Sequence, residues 1–233
     1  DIDFESRVVN AETIKRKITN KTKAVVVVHL YGYLADMPEI MQLCADNNLV
    51  LIEDCAQSLG TSLDGKRAGT FGDMSIFSHH SQKNISTLGE GGVLVVKNPE
   101  YAQIVPMLRH NGHSAYEDQE HYWKPAMSNV DFPKLNGIYI EPNNYCLGEP
   151  QCAVGSMIID RVDEVNSLKR SRAIQFIDGL AEFEQLTFHR VDNERHNYQH
   201  LVAFVQNDKR DQFINKLSLD KGIQCVVQYY PLH

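Results

Sequence analysis

Three side chains with different chemistry follow two short apolar segments of the sequence. Asp54 closes the segment LVLIED, Ser78 closes MSIFS, and Lys83 comes five residues later. An amine can act as a nucleophile, a carboxylate can hold a positive charge, and a hydroxyl can bind an anion. Ligands of open α/β sheets bind beyond the carboxyl ends of the strands, so we expect these groups to meet at one sheet edge.

Each of these residues alone has a simpler explanation. A strand-end carboxylate such as Asp54 commonly caps a turn, and a loop lysine such as Lys83 is usually a solvated charge. The combination is more specific. Pyridoxal phosphate (PLP) chemistry uses a lysine for a Schiff base, an acid against the pyridine nitrogen and donors for the phosphate. Lys83, Asp54 and Ser78 match these three roles.

The first elements that must position these residues form a β–α–β pattern. Residues 23–30 are a continuous β-branched run, which predicts a strand buried on both faces of a parallel sheet. Asp36 can cap a helix whose apolar residues recur at helical spacing. Residues 49–54 form a second apolar strand, so the three elements predict parallel strands joined by a helix.

The chain then continues the α/β pattern. We expect strands at residues 74–78 and 92–96. A helix then begins at Pro99, where proline is tolerated in the first turn. Pro106 is expected to kink or shorten this helix, and Gly112 is well placed to stop it.

A long segment without clear periodicity, residues 115–144, separates these elements from a more helical C-terminal part. It contains the only tryptophan, Trp123, and loops of this length are usually functional or disordered. The segments that follow predict a smaller α/β unit with alternating helices and strands: residues 149–168, 171–183, 200–205, 211–219 and 223–230. We therefore expect a larger domain at residues 1–165 and part of a smaller domain at 166–233.

The composition excludes several classes of partner. The formal net charge is −7, from 23 basic and 30 acidic residues, which argues against nucleic acids and anionic membranes. No apolar run approaches the ~20 residues that cross a bilayer. The five cysteines are widely spaced and contain no CxxC pair, so we expect no disulfide framework and a reducing, cytoplasmic location.

Four stretches of the sequence together carry a resemblance to a known family. They are HLYGYLADMPEIMQLCADNNLVLIEDCAQSLG, GTFGDMSIFSHHSQKNISTLGEGGVLVV, LRHNG and NNYCLGEPQCAVG. In this order and spacing they resemble the PLP-dependent sugar aminotransferases of the DegT/StrS type. The resemblance implies the α/β fold of type I PLP-dependent transferases. This fold has a large domain with a mostly parallel central sheet flanked by helices, and a smaller C-terminal α/β domain.

The resemblance also assigns roles to individual residues. It makes Lys83 the Schiff-base lysine and Asp54 the partner of the pyridinium nitrogen. Gln57, in the EDCAQ motif, would lie against the cofactor ring near its phenolic oxygen, and Ser78 would bind the phosphate. His80 matches the SxH pattern and would lie near the cofactor or the substrate.

Asn144 is the residue through which the resemblance implies a homodimer, because it would reach a phosphate in the neighbouring subunit. Cys146 departs from the pattern, since many relatives carry an arginine there. The family's chains usually begin well before Asp1, with a Ser-Gly-Thr segment that grips the phosphate, and they continue past the YYPLH end. The sequence is therefore expected to be the middle of such an enzyme.

The function that the resemblance implies is transfer of an amino group from glutamate to a nucleotide-linked keto-sugar in amino-sugar biosynthesis. The sugar dehydrases of the same family are an alternative, but they typically carry histidine at the lysine position, so Lys83 favours transamination. A non-catalytic structural or regulatory paralogue, or an inactive fragment, is a third possibility. The intact set of site residues argues against it.

Two further patterns partly match known binding motifs. GTSLDGKR nearly matches a P-loop, but Arg67 stands in place of the Ser or Thr that would hold magnesium. Asp64-Gly65 within it predicts a hairpin turn instead. His196 and His200 have the spacing of metal ligands on a helix, but no third ligand is placed, so we expect no metal site.

Overall fold

A computed structural model of the chain describes residues 1–112 and 134–229, so the predicted role of Trp123 lies outside the described residues. The helices and strands are α1 Ala11–Lys15, β1 Ala24–Val28, α2 Met37–Asp46, β2 Val50–Asp54, β3 Ser62–Leu63, β4 Lys66–Arg67, β5 Met74–Ser78, β6 Gly92–Val96, α3 Pro99–Arg109, β7 Lys134–Leu135, β8 Ile138–Tyr139, α4 Glu149–Ile158, α5 Val162–Gly179, β9 Leu186–Phe188, β10 Ala203–Val205 and α6 Arg210–Asn215. Short 3₁₀ turns occupy Leu30–Gly32 and Ile159–Arg161, and a π-helical turn occupies Lys216–Asp220.

A four-stranded sheet in the order β1-β2-β5-β6 forms the centre of the described fold. β1, β2 and β5 run parallel, and β6 is antiparallel to β5. Val28, Asp54 and Ile76 are aligned across the three parallel strands. The predicted parallel β–α–β unit and the mostly parallel sheet are therefore confirmed.

The two-sided burial predicted for β1 is wrong. Val25 and Val27 are buried, whereas Val26 is 56% exposed and Val28 is 39% exposed. The buried face packs in the core cluster that includes Met37 and other side chains of α2, and the described residues leave the opposite face open. The unbroken β-branched run therefore does not distinguish a strand covered on two faces from one covered on a single face.

Asp36 directly precedes α2, but its side chain makes no capping hydrogen bond. It accepts a 2.6 Å hydrogen bond from Nη2 of Arg195 instead. Asp36 thus occupies the predicted N-cap position, but its carboxylate makes no hydrogen bond to the helix. A distant arginine supplies a charged partner that outcompetes the local backbone donors.

The helix that begins at Pro99 continues for three residues beyond Pro106 and ends at Arg109. Pro106 therefore does not terminate it. Gly112 adopts a left-handed conformation with φ 83°, and its N–H donates to Met107 O at 2.9 Å. The predicted stop at Gly112 agrees with this reversal.

Turns and breaks in the C-terminal half differ in part from the prediction. The chain breaks at Ile159–Arg161, and α5 then runs without interruption through residues 168–171, which contain neither glycine nor proline. The predicted domain division at residues 165 and 166 falls inside α5 and stays a prediction.

The strand predicted at residues 200–205 is confirmed in a shorter form as β10, which pairs with β9. The strand predicted at 223–230 is wrong in the part that the structure describes, residues 223–229. Residues 223–229 pair with no described strand and have no regular secondary structure. Among the described residues, no helix is long and apolar enough to cross a membrane.

Candidate active site

Asp54 is the last residue of β2 and is aligned with Val28 and Ile76, both of which are exposed. Because aligned residues in a sheet point to the same face, the Asp54 side chain lies on the open face. Its Oδ1 accepts a 3.0 Å hydrogen bond from the Ala56 N–H. Among the described residues it forms no ion pair, so the carboxylate is accessible to a positively charged ligand.

Glu53, the preceding residue, lies on the buried face and is fully inaccessible to solvent. Its carboxylate accepts hydrogen bonds from His29 Nε2 at 3.1 Å and from the N–H groups of Gly69, Phe71 and Gly72 at 2.6–2.8 Å. Burial disfavours the charge, but the hydrogen bonds from His29, Gly72 and Gly69 outweigh it and lower the pKa of Glu53. These bonds fix the end of β2.

His29, Glu53 and Cys55 have potential metal-ligand atoms within 4.8 Å of one another. His29 Nδ1 already accepts from the Ala35 N–H at 3.3 Å, so its Nε2 carries the proton that is donated to Glu53. Burial raises the pKa of the Cys55 thiol far above its ordinary value, which disfavours the thiolate that a metal needs. The group is a hydrogen-bonded part of the core.

Lys83 lies half-buried in the loop that joins β5 to β6. Its N–H donates to His80 O at 2.9 Å. The loop is closed by two hydrogen bonds at its base, from His79 N to Gly91 O at 2.8 Å and from Thr87 N to His79 O at 3.0 Å. Lys83 is therefore presented on a folded loop at the carboxyl end of β5.

Ser78 and His80 stand at the start of the same loop. Ser78 Oγ accepts a 3.3 Å hydrogen bond from the His80 N–H, and His80 Nδ1 accepts from the Gln82 N–H at 3.1 Å. His80 Nε2 lies 3.6 Å from Glu90 Oε1. Both predicted residues thus lie on the Lys83 loop, with His80 oriented by its neighbours.

Gln57 is buried three residues after the end of β2. Its Oε1 accepts from the Tyr31 N–H at 2.5 Å, and its Nε2 donates to the Tyr229 hydroxyl at 2.7 Å. The Tyr31 and Tyr229 rings stack with 6.2 Å between their centroids. Gln57 therefore belongs to an aromatic and amide cluster beside the sheet edge.

His200 connects this cluster to the Lys83 loop. Its ring lies 6.2 Å from that of Tyr31, nearly perpendicular to it. Burial lowers the pKa of His200, and the nearby positive charges of Lys83 and Lys169 lower it further. The predicted site residues Asp54, Gln57, Ser78, His80 and Lys83 thus lie at, or within five residues after, the carboxyl ends of the adjacent strands β2 and β5.

Asn144 lies apart from these residues. It is exposed, pairs with His110 in an isolated antiparallel bridge, and accepts a 3.1 Å hydrogen bond from the Cys146 N–H through Oδ1. These contacts place it beside the end of α3. Its predicted reach into a neighbouring subunit stays a prediction.

His196 and His200 do not lie on a helix, although their spacing is that of two metal ligands on one helix face. The segment 196–200 is irregular rather than helical. His196 Nδ1 accepts from the Tyr198 N–H at 3.0 Å, and the two rings stack at 4.0 Å. Burial and the neighbouring His189 lower the pKa of His196 to about 3, so the ring is a neutral, hydrogen-bonded part of the interior.

Three polar residues that support the loops of the site were not predicted from the sequence: Asn84, Asn197 and Gln199. Asn197 and Gln199 are buried, and both make hydrogen bonds to the loops that carry the predicted site residues. The position of Asn84, next to Lys83, was one available signal. Asn197 and Gln199 carry none, because their contacts cross more than a hundred residues of sequence.

The mostly parallel central sheet is that of a PLP-dependent transferase fold, and the sequence agrees. Over residues 1–233 it matches the DegT/DnrJ/EryC1/StrS aminotransferase family, and the chain belongs to that family.

Individual proteins and solved structures are also similar to this chain. The chain is 34% identical over 237 residues to a GDP-perosamine synthase of Vibrio cholerae, which covers 100% of the chain and 59% of that protein. The structure of an aminotransferase from Psychrobacter cryohalolentis matches with a TM-score of 0.79 at 28% identity, covering 97% of this chain and 59% of that one. A GDP-4-keto-6-deoxy-D-mannose-3-dehydratase of E. coli, solved with bound hydrated PLP, shares the fold with a TM-score of 0.77 at 24% identity, covering 97% and 58%. The chain thus spans about three fifths of the length of these proteins.

Proposed function

We propose that the chain is part of a PLP-dependent aminotransferase that moves an amino group from glutamate to a nucleotide-linked keto-sugar in amino-sugar biosynthesis. The observation that carries this proposal is the meeting of Asp54, Gln57, Ser78 and Lys83 at one sheet edge in a member of an aminotransferase family. The relative from Vibrio cholerae, named for a GDP-linked amino sugar, supports the substrate class.

The described residues fit PLP. Asp54 offers a carboxylate on the open face with a backbone N–H on one oxygen and no competing cation among the described residues. Lys83 offers an amine on the adjacent loop, and Ser78 offers a hydroxyl at the carboxyl end of β5. A bound PLP would supply an electron sink for the carbon that carries the amino group.

The carboxylate of Asp54 would keep a proton on the pyridine nitrogen of bound PLP. At an effective dielectric constant of about 20, a contact ion pair contributes about 4 kcal/mol, enough to raise the pKa of that nitrogen by about three units. Lys83 would hold the cofactor through its amine, and the free Nζ would then be placed to move a proton between two carbon atoms. Gln57 would pack against the ring, Ser78 would bind the phosphate, and His80 would lie near the cofactor or substrate.

The assignment of Lys83 is tested by an absorbance spectrum of the purified protein with added PLP, before and after borohydride, followed by peptide mass mapping. A visible band that borohydride traps on Lys83 is expected. Lys83→Ala abolishes both the band and turnover. The exposed Lys21 provides the control, and Lys21→Ala leaves both unchanged. Near-normal turnover in Lys83→Ala contradicts the assignment.

The role of Asp54 is tested separately. Asp54→Asn keeps the shape of the side chain but loses its charge, so we expect PLP to remain bound. We expect turnover to fall by about a thousandfold, the rate equivalent of about 4 kcal/mol. Steady-state kinetics with glutamate and a set of nucleotide-linked keto-sugars provides the measurement. Full activity in Asp54→Asn would show that the charge of Asp54 does not have this role.

The related reaction of the sugar dehydrases is distinguished by the product. An aminotransferase releases 2-oxoglutarate and an aminated sugar in equal amounts, whereas a dehydrase releases a sugar that has lost a hydroxyl group. Lys83 favours the first outcome because the resemblance gives the dehydrases a histidine at this position.

We also propose that the enzyme is a cytoplasmic homodimer. All five cysteines are free, which supports a reducing compartment. Asn144 is exposed, as a residue that acts in a neighbouring subunit must be. If it does so, mixing the inactive variants Lys83→Ala and Asn144→Ala restores about a quarter of the active sites, because half of the dimers then hold one intact site. No recovery on mixing contradicts a shared site.

A further inference from the structure

Gln199 contacts the residues on both sides of Lys83. The side chain is buried, with 8% exposure. Its Oε1 accepts a 3.0 Å hydrogen bond from the Asn84 N–H, and its Nε2 donates to Gln82 O at 2.7 Å. A single amide thus pairs with the backbone before and after the lysine, much as a neighbouring strand would.

The side chain of Asn84 anchors the same loop to α5. Its Nδ2 donates to Asn166 Oδ1 at 3.1 Å, and its Oδ1 accepts a hydrogen bond from Lys169 Nζ. Asn166 in turn donates to Leu59 O at 2.8 Å. The Lys83 loop is therefore held from two directions, by Gln199 and by α5.

Asn197, two residues before Gln199, binds the other side of the site. Its Nδ2 donates to Gln57 O at 2.9 Å and to Leu59 O at 3.2 Å. Its N–H donates to Gly32 O at 3.1 Å, and its Oδ1 accepts from the Gln199 N–H at 2.9 Å. The segment 197–199 thus joins the turn that follows β2 to the loop that carries Lys83.

We propose that Gln199 is a positioning residue for Lys83. Its amide fixes the backbone on either side of the lysine, and through Asn197 it fixes this loop relative to Gln57. The inference rests on the proposed function, in which Lys83 is the nucleophile. A lysine side chain has four rotatable bonds, so the direction of its amine depends on a backbone that does not move.

A purely structural role for Gln199 makes a different prediction. If the amide only satisfies buried polar groups, its loss lowers stability but leaves the reactivity of Lys83 in the folded protein unchanged. A positioning role requires in addition that the backbone around Lys83 becomes more mobile and that the amine meets PLP less often in a reactive geometry.

The test replaces Gln199 by methionine, which has a similar length and cannot form either hydrogen bond. Two readouts are taken: amide hydrogen exchange of residues 82–84, and the rate at which PLP becomes attached to Lys83, followed by absorbance and borohydride trapping. In Gln199→Met we expect exchange at Asn84 to be about thirtyfold faster and attachment about thirtyfold slower, as for the loss of two hydrogen bonds.

Gln206 provides the matched control. It is an exposed glutamine whose Nε2 also donates to a backbone carbonyl, Glu184 O, at 3.1 Å. Gln206→Met is expected to leave both readouts at the wild-type values. If Gln199→Met does not fold, Gln199→Glu keeps the acceptor for the Asn84 N–H, loses the donor to Gln82 and places a buried carboxylate against Gln82 O. A change of at least about fivefold in each readout is then expected.

The outcomes separate the two proposals. Wild-type attachment rates and wild-type exchange in a folded Gln199 variant show that the positioning role is wrong while the proposed function stands. A change in exchange alone, with unchanged attachment, reduces Gln199 to a structural residue and also overturns the proposal. If the full-length wild-type protein attaches no PLP to Lys83, the proposed function is wrong and the positioning role falls with it.

Discussion

Glu53 and Asp54 are adjacent carboxylates with opposite environments. Glu53 is buried and accepts four hydrogen bonds, whereas Asp54 lies on the open face with a single backbone donor. An ionised carboxylate is tolerated in the interior only when such donors replace water. The alternation of side chains along β2 thus separates a carboxylate that fixes the strand from one that is available to a ligand.

Glu53→Gln is expected to destabilise the protein by about 3 kcal/mol, because the amide NH₂ would oppose N–H donors that the carboxylate accepts. Urea unfolding at pH 7 measures this. Glu12→Gln is the control: Glu12 is fully exposed and, among the described residues, forms an ion pair with the equally exposed Arg16, so we expect no measurable change in the free energy of unfolding. Equal losses in the two variants would contradict the role given to Glu53.

The stabilisation by Glu53 depends on pH in a defined direction. Because its pKa in the folded protein is lowered from the ordinary value of 4.5, the contribution is present above about pH 4.5 and is lost as the pH falls through the folded-state pKa. The difference in unfolding free energy between wild type and Glu53→Gln should therefore shrink below pH 4.5. A constant difference down to pH 3 would be inconsistent with an ionised Glu53.

At the level of elements, the turn after β1 requires a glycine for two reasons. Gly32 has φ 94°, and a Cβ there would overlap Asn197 Oδ1 and lie 3.0 Å from Gln57 O. Gly65, in the β3–β4 turn, has φ 77° with nothing near a Cβ. Both positions have a left-handed φ that is strained for any residue with a Cβ. Only at Gly32 would the Cβ also clash with neighbouring atoms.

We therefore expect Gly65→Ala to cost about 1 kcal/mol and Gly32→Ala clearly more, about 3 kcal/mol. The larger value combines left-handed strain with displacement of Asn197. Thermal or urea unfolding of the two variants gives the comparison. Similar losses would show that Asn197 moves aside without cost.

The sequence predicted the elements whose signal is local. The β-branched run gave β1, helical spacing gave α2, and Asp64-Gly65 gave the hairpin between β3 and β4, confirmed by left-handed φ values at both residues. It also placed Asp54 and Lys83 at one edge. The sequence does not predict the role of Gln199, because its contact with Asn84 joins residues 115 positions apart and no periodic pattern in the sequence marks such a contact.

At the level of the whole molecule, one buried histidine, His196, and two half-buried ones, His189 and His200, make the fold sensitive to mild acid. Burial is the main cause of the lowered pKa values of His189, His196 and His200, and neighbouring positive charges such as Arg7 add to it for the first two. Histidines in the unfolded chain take up protons near pH 6.5, whereas the lowered pKa values of these three shift their protonation in the folded protein to lower pH. Stability is therefore present above pH 6.5 and declines as the pH falls below it.

His196→Asn tests this origin, since Oδ1 of asparagine can replace Nδ1 as the acceptor for the Tyr198 N–H. Each excluded proton contributes a slope of about 1.4 kcal/mol per pH unit to the free energy of unfolding. Urea titrations between pH 6 and 4 should show a slope in His196→Asn that is smaller by about one proton. An unchanged slope would assign the acid sensitivity to other groups.

The link between Gln199 and the Lys83 loop has a consequence for the order of folding. Ribosomal synthesis delivers β1, β2, β5 and β6 long before residues 197–199, so the sheet can form while the lysine loop still lacks its distant partner. Closing a loop of 115 residues costs entropy, which favours late formation of this contact. In a nascent chain the sheet would then be formed while the backbone around Lys83 is not yet fixed, and the reactivity proposed for Lys83 would arise only when the C-terminal segment docks.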